Sequence, residues 1–328
     1  MSDGSYTLAL ISLAVSFFVT IFLVKIWMRA AKKFDLVGKD LNKVDGPLIP
    51  ESGGLPVMFG FLSGLLLYVF FKTFLLKTET NLLAMFAVMM SFMFAGFLGF
   101  IDDILGWKKG LAQWQKPLLT LPVAVPLMVL DAGHHTMTLP VFGPVNFGLA
   151  YPLLIIPIAI VGAANGFNML AGLNGLEAGM GAIILGTMGY ISFVTGNPLI
   201  SLIAFSAVAA LLAFHTFNRY LAKIFPGDSL TYSIGALIAI LAILGNMERI
   251  AVFLFIPYFV ELLLKARYKF KFESTANTPQ PDGTLLAPDK TASLVHIFVR
   301  KFKTEKWACR GILLTEIFLA LLVLIAYV

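Results

Sequence analysis

Leu82-Leu-Ala-Met-Phe-Ala-Val-Met-Met-Ser-Phe-Met-Phe-Ala-Gly-Phe-Leu-Gly-Phe-Ile-Asp-Asp103 decides how this chain is read. Its uncharged part, 82–101, is long enough to cross about 30 Å of hydrocarbon at about 1.5 Å per residue, and it closes on two adjacent carboxylates, Asp102 and Asp103. Each would cost about 2.5–3.5 kcal/mol at the centre of a bilayer. The pair therefore belongs at the end of a span, facing water or protein. A helix emerging among headgroups is one reading; handling of phosphate and a divalent metal is the other. The helix macrodipole disfavours a carboxylate at a C-terminus unless a cation compensates. Lys108, Lys109, Lys116 or a bound metal are the available compensators.

The same signal recurs outward from this run. Of 328 residues, 59% are hydrophobic and 13% charged, where a soluble domain has roughly 45–50% and 25%. Hydropathy predicts ten spans, at 6–28, 55–76, 82–101, 115–130, 149–164, 176–195, 199–217, 230–246, 249–268 and 311–328. The expected fold is an all-α polytopic membrane helix bundle of about ten transmembrane helices, one domain over 1–328, with a small external β-hairpin at Thr136 to Phe147. Met1-Ser-Asp-Gly lacks a basic leader, so the first run reads as a retained helix. Cys309 is the sole cysteine, which excludes an intrachain disulfide and a cysteine metal cluster.

The loops after odd-numbered spans hold most of the Lys and Arg, from Arg29 to Lys43, Lys108 to Lys116, Arg219 to Lys223 and Lys269 to Arg310. The other loops hold only Lys72, Lys77 and Arg249. The positive-inside bias places the odd loops in the cytoplasm.

The unusual polar residues fall on that predicted cytoplasmic face: Asp40 to Lys43 and Glu51 in loop one, the aspartate pair and Lys116 in loop two, Asn165 to Glu177 in loop three, and Phe225 to Ser229 in loop four. Each also has a structural reading. Asp228 precedes an apolar run and suits an N-cap, or a helix N-terminus offering backbone donors to phosphate beside a carboxylate for its cation. Lys116 suits a snorkelling lysine. Phe225 suits packing or base stacking, and Glu51 a cap. Asn165 and Asn168 share a helix face if span five extends that far, and Gly172 and Gly175 break the helix before Asn174. Together the inventory suits phosphoryl transfer from a metal-bound diphosphate, where positioning and charge neutralisation supply most of the catalysis. A transporter or flippase of an anionic lipid-linked or nucleotide substrate is the alternative; the few ionisable residues within spans and the lack of paired halves disfavour it.

These phrases, Asp40-Leu-Asn-Lys43 with Ile49-Pro-Glu-Ser52, Gly99-Phe-Ile-Asp-Asp103, Asn168-Met-Leu-Ala-Gly-Leu-Asn-Gly-Leu-Glu177 and Gly227-Asp-Ser229, resemble the polyprenyl-phosphate N-acetylhexosamine-1-phosphate transferases, most closely their eukaryotic and archaeal dolichyl-phosphate branch. The resemblance implies transfer of N-acetylglucosamine 1-phosphate from UDP-N-acetylglucosamine to dolichyl or another polyprenyl phosphate, with release of UMP, as the first step of lipid-linked oligosaccharide synthesis. It implies Mg²⁺ at Asn168 and Asp228, phosphate contact by Lys116, and lipid-phosphate handling by Asp102 with Asp103 supporting the metal site. It implies nucleotide contacts from Leu41, Glu51, Asn174 and Phe225, and a lipid-phosphate region from Val161 to Met169 that includes Asn165. The implied setting is an archaeal cell membrane or the endoplasmic reticulum membrane, with membrane lipid, no nucleic acid and a homodimer as the candidate assembly. The family's Arg-His-Arg or His-rich element is missing between Lys269 and Arg310, leaving Lys290 and Arg300 as its candidate replacements and His296 alone nearby.

Overall fold

Hydropathy and proline placement together explain the architecture of the computed structural model, which describes residues 3–77, 81–105, 114–139 and 143–327. Among the described residues eight helices are long and apolar enough to cross a membrane: α1 (Asp3–Lys33), α2 (Gly54–Phe74), α3 (Leu82–Leu105), α6 (Ile156–Met169, preceded by a π-helical turn Tyr151–Ile155), α7 (Leu176–Val194), α8 (Pro198–Asn218), α9 (Gly227–Gly245) and α13 (Glu305–Tyr327). The spans predicted at 115–130 and 249–268 are broken instead. The first is α4 (Gln115–Thr120), a 3₁₀ turn over Leu121–Ala124 and α5 (Val125–Val129). Pro122 and Pro126 each remove a backbone donor there. The second is α10 (Glu248–Leu254) and α11 (Ile256–Arg267), interrupted ahead of Pro257.

Both broken segments still carry the chain across. α3 ends beside the site described below and so does α6, which requires α4 to α5 to run back between them. Likewise α9 begins at the site, and α11 returns to it, where Lys265 Nζ donates to Met169 O at 2.7 Å.

α9 is the axis of the bundle, with every residue from Ser229 to Ile243 buried and α2, α3, α6, α7 and α8 packed around it. The outer faces are apolar, as at Phe18 and Phe22 of α1, Leu83 of α3, Ile158 of α6 and Phe318 of α13. In lipid, helices associate through small residues and polar contacts rather than apolar burial. Gly60 and Gly64 of α2 lie against Thr20 and Ser16 of α1 with no room for a Cβ, and Ser12 Oγ donates to Gly64 O at 2.6 Å.

Three short hairpins decorate the bundle: β1 (Val37–Lys39) with β2 (Leu48–Pro50), β3 (Thr136–Leu139) with β4 (Gly143–Asn146), and β5 (Thr278–Pro279) with β6 (Leu285–Leu286), all antiparallel. The second is the hairpin expected at Thr136 to Phe147. The first shapes loop one. The third lies in the last loop before α12 (Leu294–Phe302).

Candidate active site

The transfer chemistry expected of Asp102, Asp103, Lys116 and Asp228 requires them to meet, and they do. Gly99 of α3 and Gly54 of α2 allow both helices to touch the first turn of α9; a Cβ on either would overlap the backbone of Asp228 or of Ser229 and Leu230. That approach brings the end of α3 to the start of α9. Asp103 Oδ1 then accepts from the Asp228 backbone N–H at 2.7 Å, and Oδ2 from that of Ser229 at 3.4 Å. The residue preceding α9, Pro226, makes no side-chain cap. Asp103 thus caps α9 from another helix, and a Cβ on Gly227 would run into its carboxylate.

Two expectations change here. Asp228 sits inside the first turn and is not the N-cap. The first-turn donors of Asp228 and Ser229 are engaged by Asp103, so a phosphate does not find them open. Replacing Asp103 with Ala is expected to cost about 1–2 kcal/mol of stability, measured as a lower thermal midpoint in detergent. Asp103→Asn, which keeps an acceptor, should lose less than half of that; equal losses would show that the cap is not what Asp103 contributes.

Lys116 reaches the pair despite its distance in sequence. Its Nζ lies 2.7 Å from Asp102 Oδ2 and 3.1 Å from Asp228 Oδ2, and 5.8 Å from the centre of the Tyr232 ring. Lys108 and Lys109, the other candidate compensators, lie outside the described residues. Asp102 and Asp228 thus share one ammonium, while Asp103 faces the amides of α9. α6 extends to Met169 and brings in Asn168, whose Oδ1 accepts from Thr231 Oγ1 at 3.0 Å, the same hydroxyl bonding Asp228 O at 3.3 Å. Asn165, one turn earlier, donates instead to Thr120 Oγ1 at 3.0 Å and Val161 O at 2.8 Å. It ties α6 to α4.

A second polar cluster organises the predicted nucleotide side. Gly172 and Gly175 adopt positive φ of 101° and 86° and stop the helix before α7, as expected. Asn174 is held by a backbone bond to Glu305 Oε1 at 2.8 Å and by Nδ2 donating to Asp40 Oδ2 at 3.3 Å. A carboxylate only accepts, so the amide NH₂ must face Asp40 and the Asn174 carbonyl oxygen is turned away from it. Lys43 lies between Asp40, at 3.3 Å, and Glu305. Burial works to lower its pKa, but the charges of Glu305 and Asp40 outweigh that and hold it above the ordinary lysine range. Glu177 Oε1 accepts from Gly172 N at 2.8 Å, and Asn42 Nδ2 donates to Gly172 O at 2.8 Å.

Loop one joins the two clusters. Phe225 N donates to Pro50 O at 2.8 Å, Gly53 N to Phe225 O at 2.9 Å and Gly54 N to Pro226 O at 2.8 Å. The backbone of Phe225 is therefore fixed with its ring half-buried, and Leu41 is exposed. Glu51 is anchored through its backbone, accepting from Trp27 Nε1 at 2.9 Å. Burial first, and then the charge of Asp228, raise its pKa. A carboxyl whose pKa rises on folding is penalised as an anion, so its cost is absent below the unfolded pKa and complete above the folded one. Glu51→Gln should therefore raise the thermal midpoint at pH 8 and leave it nearly unchanged at pH 4. A shift of equal size at both pH values would contradict this electrostatic origin.

Residues that sequence reasoning missed hold the last loop. Glu261, fully buried on α11, accepts from Ser293 Oγ at 3.0 Å and Leu294 N at 2.7 Å, capping α12, and from Ser274 Oγ at 3.1 Å. Ser274 Oγ and Lys265 Nζ both reach the Met169 carbonyl, next to Asn168. An acid inside a predicted span was the available signal for Glu261; Glu305 had none, because its helix was expected to begin later. Arg300 is engaged with Thr291 Oγ1 and Pro288 O, both at 2.7 Å. Lys290 lies over the Phe272 ring, and His296 is buried against Glu273 O and Ala292 N. These contacts are all within the last loop and α12.

The profile described as glycosyl transferase family 4 matches residues 84–246. A protein of Saccharolobus solfataricus provisionally named UDP-N-acetylglucosamine–dolichyl-phosphate N-acetylglucosaminephosphotransferase is 39% identical over 301 residues, covering 91% of this chain and 90% of that protein. One of the same provisional name from Sulfolobus acidocaldarius is 35% identical over 298 residues, covering 90% and 89%. The phospho-N-acetylmuramoyl-pentapeptide-transferase of Halalkalibacterium halodurans is 29% identical over 264 residues, covering 77% and 80%.

Proposed function

This chain belongs to glycosyl transferase family 4, and we propose on that footing that it transfers N-acetylglucosamine 1-phosphate from UDP-N-acetylglucosamine to dolichyl or another polyprenyl phosphate, releasing UMP. The observation that carries the reading is the meeting of Asp102, Asp103, Asp228 and Lys116 at the start of α9, with Asn168 beside them. A transporter has no need of two carboxylates sharing one lysine, with a third capping the helix beside them, at one end of the bundle. The excess of Lys and Arg in the loops at this end supports a cytoplasmic site.

The donor set fits Mg²⁺, which binds through one or two protein oxygens plus substrate phosphates. Asp228 and the second lone pair of the Asn168 carbonyl oxygen would hold it, although no group of three His, Cys, Asp or Glu suited to a metal exists among the described residues. Bound there, the ion neutralises the diphosphate.

The remaining work falls to the protein. Lys116, set in place by Asp102, binds the acceptor phosphate and lowers repulsion between two anions. An oxygen of that phosphate attacks the sugar-bearing phosphorus; the bond to the UMP oxygen breaks, and UMP leaves with its electron pair. Asp103 acts at one remove, holding the turn that carries Asp228. The Asn174 carbonyl oxygen is oriented to accept from the uracil imide N–H, with Phe225 beside the ring and Leu41 and Glu51 completing the nucleotide wall. Asn165 fixes the α6 surface along which the lipid phosphate lies.

The test is purified protein with labelled UDP-N-acetylglucosamine, dolichyl phosphate and Mg²⁺. Lipid-linked label with matching UMP is the expected result. Absence of turnover in folded protein across several UDP-sugars and lipid phosphates would overturn the assignment. A phosphorylated enzyme trapped before lipid is added would exclude direct attack.

A further inference from the structure

A cavity of about 520 Å³ opens between the end of α1, strand β2 and the α8–α9 connection, and Asp102, Asp103 and Asp228 are not among the residues that line it. Four cations line it: Lys25, Arg29 and Lys32 of α1, and Lys223. The three on α1 are spaced four and three residues apart, which puts them on one face. Among the described residues no carboxylate lines the cavity. Lys43, Lys116 and Lys265 each have an acid partner. The side chains of the four around the cavity have neither a hydrogen bond nor an ion pair among the described residues.

The rest of the wall is apolar, including Met28 and Leu48. Above the cations, toward the middle of the bilayer, α1 exposes Phe18, Phe22 and Ile26. These are spaced four apart and form a stripe leading to Arg29. A phosphate-binding group below a strip of exposed apolar side chains matches an amphiphile with an anionic head. A soluble anion would have no use for the strip.

We propose that this cavity binds the phosphate headgroup of an anionic membrane lipid, whose chains lie along the Phe18–Phe22–Ile26 face of α1. Basic pockets between membrane helices on the cytoplasmic side bind anionic lipid headgroups. The site is separate from the transfer centre yet mechanically joined to it. β2 forms its floor, and the Pro50 carbonyl at the end of β2 accepts the Phe225 backbone N–H at 2.8 Å. An occupied cavity therefore steadies loop one, which carries Glu51 and meets Phe225. The proposal needs the chain to sit in a membrane but is independent of which sugar it transfers.

Native mass spectrometry of the full-length protein in mild detergent, titrated with phosphatidylglycerol or phosphatidylcholine, tests it. The protein should retain phosphatidylglycerol at least about tenfold better, and Arg29→Ala/Lys32→Ala/Lys223→Ala should reduce that preference to near parity. Lys271→Ala/Lys301→Ala/Lys306→Ala removes equal charge elsewhere and should keep it. Phosphatidylglycerol should also raise the thermal midpoint of the parent and of the second variant but not of the first. Should the triple variant prove unstable, Arg29→Gln alone should show a smaller loss of preference in the same titration. An unchanged preference in the first variant, or an equal loss in the second, would overturn the proposal. An equal rise in midpoint with inorganic phosphate alone would make this a free-anion site and overturn the lipid assignment. Retention of dolichyl phosphate but not phosphatidylglycerol would do the same, by making it an acceptor site.

Discussion

Replacing Lys116 with Met is expected to reduce transferase activity by at least about a thousandfold, or about 4 kcal/mol of transition-state stabilisation, and to destabilise the fold as well. The Lys116 ammonium is the partner of Asp102 at 2.7 Å and of Asp228 at 3.1 Å. The Asp102 side chain is 4% exposed and that of Asp228 27%. Removing one partner of a buried pair leaves an uncompensated charge and costs about 3–5 kcal/mol. The partial exposure of Asp228 places Lys116→Met near about 3 kcal/mol. Two companions separate the effects. Adding Asp102→Asn to Lys116→Met should restore more than half of the lost thermal stability, because the most buried orphan charge is gone, and should restore no activity. Lys116→Arg should fold normally but retain only part of the rate, since a planar guanidinium cannot replace a compact ammonium between two carboxylates. Activity of the Met variant within tenfold of the parent would remove Lys116 from the chemistry.

The convergence of these residues was readable because it depends on topology more than on packing. Asp103 and Asp228 are 125 residues apart, yet hydropathy and loop charge alone predicted the same end of the bundle for both. What each does there was not readable. Nothing local distinguishes an aspartate that supports a metal directly from one that caps a neighbouring helix, and Asp103 proves to be engaged with the amides of α9. The spans show the same division. Pro122, Pro126 and Pro257 were visible, but proline is tolerated in membrane helices when neighbours satisfy the freed groups, so hydropathy read 115–130 and 249–268 as continuous. Glu261 and Glu305 escaped notice because their partners, Ser274, Ser293, Lys43 and Asn174, come from loops whose folding is fixed by tertiary contacts.

Asp228→Asn is expected to separate chemistry from stability most cleanly. The substitution is nearly isosteric and keeps one acceptor oxygen, and it removes a negative charge that lies close to those of Asp102 and Asp103. Like charges held this close repel, so the thermal midpoint should stay level or rise, and Lys116 remains paired with Asp102. Activity should fall by at least about a thousandfold, because the charge lost is the one expected to hold Mg²⁺ against the diphosphate. The midpoint of the Mg²⁺ titration should move to higher concentration in whatever activity remains. Asp103→Asn provides the contrast: its remaining acceptor can still take the Asp228 amide, so it should lose less activity and leave the Mg²⁺ midpoint close to that of the parent. If Asp228→Asn kept its rate within tenfold with an unchanged Mg²⁺ midpoint, the metal would have to be held elsewhere. If Asp103→Asn shifted that midpoint as far as Asp228→Asn, Asp103 would be a ligand and not the cap that the hydrogen bonds describe.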